Sequence, residues 1–295
     1  EGDISTLRGH LHILKNTGTD ANPSFTSVQA DYFQMLNPMY DPASSGLRLA
    51  SADLDNDNDP DLLACSDQGE FIYFENKTSG GNLSFSFVTR NYKNLSGAKT
   101  WYKPAPEFYD LDGDGDFDLL VGDRGGHIYY FENTGTASNP SFTAVTDTLG
   151  GVVVSAPPNF AFEGMANPRV VDYDFDEQPE LLVSNIAGEI FAFDSLETAL
   201  SKPMPQILLT PLQSYSANRL TLDYLPTHND SGLVIAGTRG GGFFAYQHLI
   251  DSATVDTIPD TIISRAPVIA QKIELKVYPN PTSGTLHIEA DQAAA

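Results

Sequence analysis

Three nine-residue stretches carry alternating carboxylates: Asp53-Leu-Asp-Asn-Asp-Asn-Asp-Pro-Asp61, Asp110-Leu-Asp-Gly-Asp-Gly-Asp-Phe-Asp118 and Asp172-Tyr-Asp-Phe-Asp-Glu-Gln-Pro-Glu180. The first two place Asp at positions 1, 3, 5, 7 and 9. The third keeps acids at 1, 3, 5 and 9, with Gln178 at position 7. Together they hold 15 of the 39 acidic residues, far above an even share. Carboxylates this dense repel one another unless a cation sits among them. Calcium takes six to eight oxygens at about 2.4 Å, and alternate residues of a tight loop can turn their carboxylates onto one such ion. The helical calcium hand shares positions 1, 3 and 5 but ends on a bidentate Glu at position 12. Position 12 here is Ala64 or Val121, each inside an apolar run, so these stretches are not that motif.

The elements that must carry these loops come from an internal repeat. Asn16 to Phe25 reads NTGTDANPSF and Asn133 to Phe142 reads NTGTASNPSF, identical at eight of ten positions; Asn76 to Phe85, NKTSGGNLSF, is a looser copy. Upstream of each lies a glycine and an alternating apolar run: Gly9-HLHIL, Gly69-EFIYF, Gly126-HIYYF, with further copies at Gly188-EIFAF and Gly241-GFFAY. In the best copy, Glu107-Phe-Tyr, Leu119 to Val121, Ile128 to Phe131 and Phe142-Thr-Ala-Val read as four short strands around the acidic loop and two turns. The apolar period is 2, and Gly and Pro punctuate every unit, which disfavours a helical solenoid. Four antiparallel strands every 53 to 62 residues describe one blade of a β-propeller. A sandwich is the structural alternative. The fold class expected is all-β, a propeller of four-stranded antiparallel blades over residues 1–250. It has three full acidic-loop blades, one degenerate blade from Leu220 to Gln247, and half a blade at the start. That is few blades for a closed ring, so the chain is expected to be part of a larger propeller or to close with a further N-terminal part.

The pattern D-x-D-x-D-x-x-x-[DE] running into an apolar strand resembles the calcium loops of the FG-GAP/VCBS repeat family, which includes the propeller of integrin α subunits. The resemblance spans roughly residues 1–250 and implies two to three structural Ca2+ ions. It places the side chains of Asp53, Asp55, Asp57 and Asp61 on one ion, with Asp59 giving its backbone carbonyl. Asp110, Asp112, Asp114 and Asp118 take a second, with Asp116 in the carbonyl role. Asp172, Asp174, Asp176 and Glu180 take a third, with Gln178 in that role. In the fourth unit Asp223 is followed by Tyr-Leu-Pro-Thr-His-Asn, and no ion is expected there.

Composition shifts after residue 250. Residues 251–271 read as a linker whose Asp251-Ser-Ala, Asp256-Thr-Ile and Asp260-Thr-Ile are similar to the D-[ST]-[AILVM] acceptor of Bacteroidetes O-glycosylation, making Ser252, Thr257 and Thr261 candidate sites; an ordinary polar linker is the alternative. Residues 272–295 contain Val277-Tyr-Pro-Asn-Pro-Thr-Ser-Gly-Thr-Leu-His-Ile288, two short strands around a proline-fixed turn. With Tyr278, Pro279, Asn280, Pro281 and Gly284 at its centre, this string resembles part of the C-terminal sorting domain of type 9 secretion substrates. The resemblance implies a secretory signal peptide ahead of residue 1, the type 9 translocon and attachment machinery as partners, and an extracellular or outer-surface location.

A net charge of −23 argues against nucleic acid and anionic membranes as partners. No apolar run approaches the roughly 20 residues of a membrane helix, so no membrane insertion is expected. A 41% hydrophobic composition can build a real core. The single Cys65 follows Leu62, Leu63 and Ala64 and reads as a buried strand thiol. No phosphate loop, zinc spacing or nucleophile elbow is present, and His10 and His127 share a repeat position, so catalysis is the weaker expectation. The face opposite the acidic loops collects Arg8, Arg124 and Arg239 in equivalent turns. It also collects aromatic connections bearing Tyr32, Phe33, Tyr40, Tyr92, Trp101, Tyr102, Phe160 and Phe162. Trp101, Tyr102, Arg124 and Tyr40 are the candidate ligand-binding residues, for a glycan or protein; alternatively these aromatics cap the core between blades. The expected function is a calcium-stabilised adhesion or binding module. The alternative is the non-catalytic part of an extracellular polysaccharide-degrading enzyme.

Overall fold

Short apolar runs flanked by Gly, Asn and Asp can pair only as strands joined by tight turns, and the computed structural model of the chain shows that outcome. It describes residues 13–18, 24–29, 46–80, 83–155, 163–172, 176–207, 220–227, 231–238, 243–249, 269–278 and 285–291. A hairpin of β1 (Ile13–Asn16) and β2 (Phe25–Gln29) comes first. Three antiparallel four-stranded meanders follow. One contains β3 (Arg48–Ala52), β4 (Asp61–Cys65), β5 (Phe71–Asn76) and β6 (Phe85–Thr89). The next contains β7 (Ala105–Tyr109), β8 (Asp118–Gly122), β9 (Ile128–Asn133) and β10 (Phe142–Thr146). The last contains β11 (Asn167–Val171), β12 (Glu180–Ser184), β13 (Ile190–Phe193) and β14 (Gln206–Ile207). The first strands of successive sheets lie against one another, β3 on β7, β7 on β11, and β11 on β15 (Leu220–Thr227). This is the arrangement of consecutive propeller blades.

Alternation along β8 explains the packing. Leu119 and Val121 join Leu63, Phe71, Trp101 and Phe131 in the core between the first and second blades. Leu120, on the opposite face, joins Leu181, Val183 and Phe193 between the second and third. A strand covered on both faces must be apolar throughout, which is why β4, β8 and β12 read as continuous hydrophobic runs after their acidic first residue. The outer strands β6 and β10 are half-exposed instead. Cys65 closes β4 fully buried, as expected, and burial pushes its thiol well above the ordinary range.

The repeat glycines have a physical reason. Gly69 and Gly126 turn into β5 and β9 at φ of 88° and 90°. An added Cβ would come within 2.8 Å of the Trp101 Cβ at Gly69, and within 1.9 Å of the Val154 carbonyl oxygen at Gly126. At the centre, Arg169 of β11 donates to the Glu107 carboxylate of β7. Its Nε donates to the Leu222 carbonyl of β15 at 2.8 Å and its Nη2 to the Leu49 carbonyl of β3 at 3.5 Å. Glu107 also accepts the Val170 N–H at 3.0 Å. Burial leads in raising the Glu107 pKa, with Arg169 opposing it.

The final sheet departs from the sequence expectation of a linker followed by a separate C-terminal unit. It has seven strands in the order β1-β2-β19-β18-β17-β16-β15, where β16 is Ser231–Thr238, β17 Phe243–Leu249, β18 Ile269–Tyr278 and β19 Thr285–Asp291. The fourth unit supplies three strands, so β17 would end the sheet with unpaired backbone groups. β18 satisfies them from Ile269 onward, ahead of the expected boundary at Lys272, and β19 continues the sheet onto β2.

Candidate metal centres

Each acidic stretch is the loop between the first and second strands of its blade: β3 to β4, β7 to β8 and β11 to β12. The even positions set its shape. Asn56, Asn58, Gly113 and Gly115, at positions 4 and 6, have φ of 62°, 71°, 77° and 94°. A Cβ at Gly113 or Gly115 would meet nothing within 4 Å, so the left-handed backbone rather than space requires Gly or Asn there.

The odd positions then tie the loop by the same bonds in both blades. Asp53 accepts the N–H groups of Asp57 and Asn58 at 3.1 and 2.9 Å; Asp110 accepts those of Asp114 and Gly115 at 3.1 and 3.0 Å. Asp55 and Asp112 accept from position 5, and Asp57 and Asp114 from position 7, all at 3.0–3.2 Å. The third loop repeats two of these bonds, Glu177 N–H to Asp172 at 3.2 Å and Gln178 N–H to Asp176 at 2.9 Å. Asp174 lies outside the described residues.

Position 9 is the first residue of the second strand and is held more firmly. Asp61 Oδ2 accepts the Leu54 N–H at 3.1 Å and the Tyr73 hydroxyl at 2.8 Å, while Oδ1 accepts the Asn76 N–H at 2.7 Å. Asp118 repeats the set with Leu111 at 2.9 Å, Tyr130 at 2.9 Å and Asn133 at 2.8 Å. Both carboxylates are buried, at 1% exposure. Burial, with the neighbouring carboxylates adding, raises Tyr73 and Tyr130 far above the tyrosine range, so both hydroxyls remain donors.

These loops fit a hard cation. Carboxylate oxygens of Asp53, Asp55 and Asp57 lie within 4.8 Å of one another, as do those of Asp110, Asp112 and Asp118. Burial first, then the charges of Asp61 and Asp57 and a hydrogen bond with Glu75, push Asp55 up to about 6. Burial likewise leads in raising Asp61, Asp116 and Asp118. Asp116 was assigned a backbone role from the sequence, yet its side chain is 8% exposed and Oδ1 accepts no hydrogen bond. The Asn133 amide is close by but out of hydrogen-bonding geometry. Asp172 Oδ1 is also buried without a hydrogen bond among the described residues. Buried anionic oxygens without donors are costly, and a divalent cation would answer them.

Asp59, assigned the same carbonyl role as Asp116, is partly exposed, and its N–H is the donor to Asp57. Glu180 is fully buried at position 9 of the third loop. Sequence reasoning missed Glu75, Tyr73 and Tyr130. The signal for the tyrosines was the same offset, Asp61 to Tyr73 and Asp118 to Tyr130; at the equivalent place after Glu180 stands Ala192.

On the opposite face the candidate ligand residues separate. Trp101 is corrected to a core residue: it is 5% exposed, its indole N–H donates to the Leu95 carbonyl at 2.8 Å, and its ring packs on Phe71, Tyr129 and Phe131. Tyr102 is 58% exposed, beside Arg124, whose N–H donates to the Tyr102 carbonyl at 3.0 Å. The Arg124 guanidinium is paired with Glu163, which Lys103 approaches at 3.8 Å. Tyr278 ends β18. Tyr40, Pro279, Asn280, Pro281, Gly284, Ser252, Thr257 and Thr261 lie outside the described residues.

Four-stranded blades with an acidic loop between their first two strands define a β-propeller-type repeat protein. Residues 53–121 and 110–183 both match the family model of the FG-GAP-like repeat, overlapping across the second acidic loop. The chain therefore contains FG-GAP-like repeats. No curated protein matches the chain. Among solved structures, the α-L-arabinofuranosidase PaAbf62A from Podospora anserina, in complex with cellotriose, is similar at 14% identity and a TM-score of 0.44, over 76% of this chain and 73% of that one.

Proposed function

We propose that the chain is a calcium-stabilised propeller module that works outside the cell and binds a glycan or protein through the face opposite its acidic loops. The observation that carries the calcium reading is the set of backbone N–H bonds that two loops in successive blades share, each loop bringing three carboxylates within 4.8 Å of one another: Asp53, Asp55 and Asp57 in one, Asp110, Asp112 and Asp118 in the other. Asp53, Asp55, Asp57 and Asp61 would hold one ion and Asp110, Asp112, Asp114 and Asp118 another. Asp172, Asp174, Asp176 and Glu180 are the candidates for a third. The ion supplies positive charge that cancels carboxylate repulsion and joins the first two strands of each blade. The exterior location rests on the tail's likeness to type 9 sorting signals and on the millimolar calcium that such sites need. On the binding face, exposed Tyr102 and the Arg124–Glu163 pair replace Trp101 as the contact residues.

Calorimetric titration with calcium, paired with thermal melts in calcium and in chelator, tests this reading. Two to three sites and a melt that climbs with calcium are expected, with magnesium far weaker. On a glycan array in calcium, Tyr102→Ala should lower capture without moving the melt. No calcium heat and an unchanged melt would reduce the loops to solvated turns.

A further inference from the structure

The ninth-position carboxylates are held by a constellation that the calcium pattern does not contain. Each Asp has two oxygens and about four lone pairs. At Asp61 and again at Asp118, three are occupied by protein donors: two backbone N–H groups and one tyrosine hydroxyl. Oδ2 takes two of the three bonds and Oδ1 takes one, so each carboxylate keeps one acceptor position, on Oδ1. The two backbone donors come with the loop and the strand. The tyrosine is the side chain that locks rotation, reaching across from β5 or β9. Both tyrosines are buried, at 7% and 0% exposure, and Tyr73 stacks on Tyr92 with ring centroids 4.5 Å apart. Rings fixed in this way cannot swing to follow a loose carboxylate.

We propose that Tyr73 and Tyr130 are positioning residues for calcium, fixing Asp61 and Asp118 so that each offers a single oxygen in a preset direction. This rests on the calcium reading above. Partners in the second layer of a metal site orient its ligands, and their loss costs roughly 10- to 100-fold in metal affinity. The third blade supplies an internal contrast. Ala192 stands where the tyrosine would be, and the carboxylate is Glu180, one methylene longer. Tyr224 of the neighbouring strand β15 is raised by burial first and then by the charges of Asp172 and Glu180. The third site therefore depends on neither Tyr73 nor Tyr130.

The test is calcium calorimetry on the full chain as wild type, Tyr73→Phe, Tyr130→Phe and Tyr129→Phe. Tyr129 is the matched control, since its hydroxyl bonds Asp123 at the opposite end of the blade at 3.2 Å. Tyr73→Phe and Tyr130→Phe should each weaken one site about 10-fold, while Tyr129→Phe leaves all sites unchanged. In the wild type, calcium should perturb the near-ultraviolet tyrosine spectrum, with part of the change lost in each positioning variant. The wild-type spectral change needs no variant, and an unperturbed tyrosine spectrum on calcium binding would count against the positioning role. Unchanged affinity in both variants, with equal loss of melting temperature in calcium and in chelator, would make the tyrosines merely structural. A wild type that binds no calcium would overturn the metal reading itself, and this proposal with it.

Discussion

The second and third acidic loops share a plan and differ in what supports it. In the second, left-handed positions are glycines, position 9 is Asp118, and Tyr130 braces it. In the third, position 6 is Glu177 at φ 67°, position 9 is Glu180, and the bracing place is Ala192. The bonds from Asp172 and Asp176 to backbone N–H groups nevertheless survive. A repeat thus keeps the bonds that shape its backbone while the side chains behind the carboxylates drift. The difference separates the backbone bonds, which both loops keep, from the tyrosine brace seen on Asp118.

The largest expected effect comes from Asp118→Ala. It strands the Leu111 and Asn133 N–H groups and the Tyr130 hydroxyl, and should cost about 3 kcal/mol by urea denaturation even in chelator. Asp176→Ala in the third loop should cost under about 1 kcal/mol in the same assay. Equal costs would erase the contrast.

A medium effect is expected from pH. Folding raises Asp55 from 3.8 to about 6, and raises Asp61, Asp116 and Asp118 in the same direction. Between these values the unfolded chain ionises first, so metal-free stability is greatest below pH about 4 and falls as pH climbs to about 6. Calcium, worth about 1 kcal/mol per site at millimolar concentration, should flatten that fall. Melts across pH 4 to 7 with and without calcium measure it, and a metal-free melt that rises over this range would contradict it.

The smallest effect is Glu177→Gly. Relief of a left-handed Glu, less the entropy gained by the unfolded chain, should stabilise by about 0.5 kcal/mol in denaturant melts. The same change at Asn58, already tolerant of that backbone, should do less.

The loops, the repeat glycines and the four-strand blade were legible because each is written in residue types that local backbone geometry demands. Gly113 and Gly115 announce positive φ, and Asp110 to Asp118 announce a cluster of carboxylates, before any fold is known. What the sequence hid was direction across space. Tyr129 and Tyr130 are adjacent and chemically alike, yet one bonds Asp123 at one end of the blade and the other Asp118 at the far end. Trp101 read as a surface aromatic because its connection has no period. Its burial follows from Phe71 and Tyr129 meeting it from two different sheets. The pairing of β18 with β17 depended on a sheet edge that only the assembled fold reveals.

Repeats of one plan carry a hazard of their own: one blade's strands can assemble against the wrong neighbour. Arg169 bears on that hazard. Glu107 and Arg169 occupy the same place in successive blades, with Ala50 at the equivalent place in the first. The Glu107 carboxylate is largely buried and Arg169 partly so; breaking the pair leaves that carboxylate without its partner, and the pair forms only when the second blade sits beside the third. It acts as an address within a chain of look-alikes, and a misordered ring would bury Glu107 and Arg169 without each other.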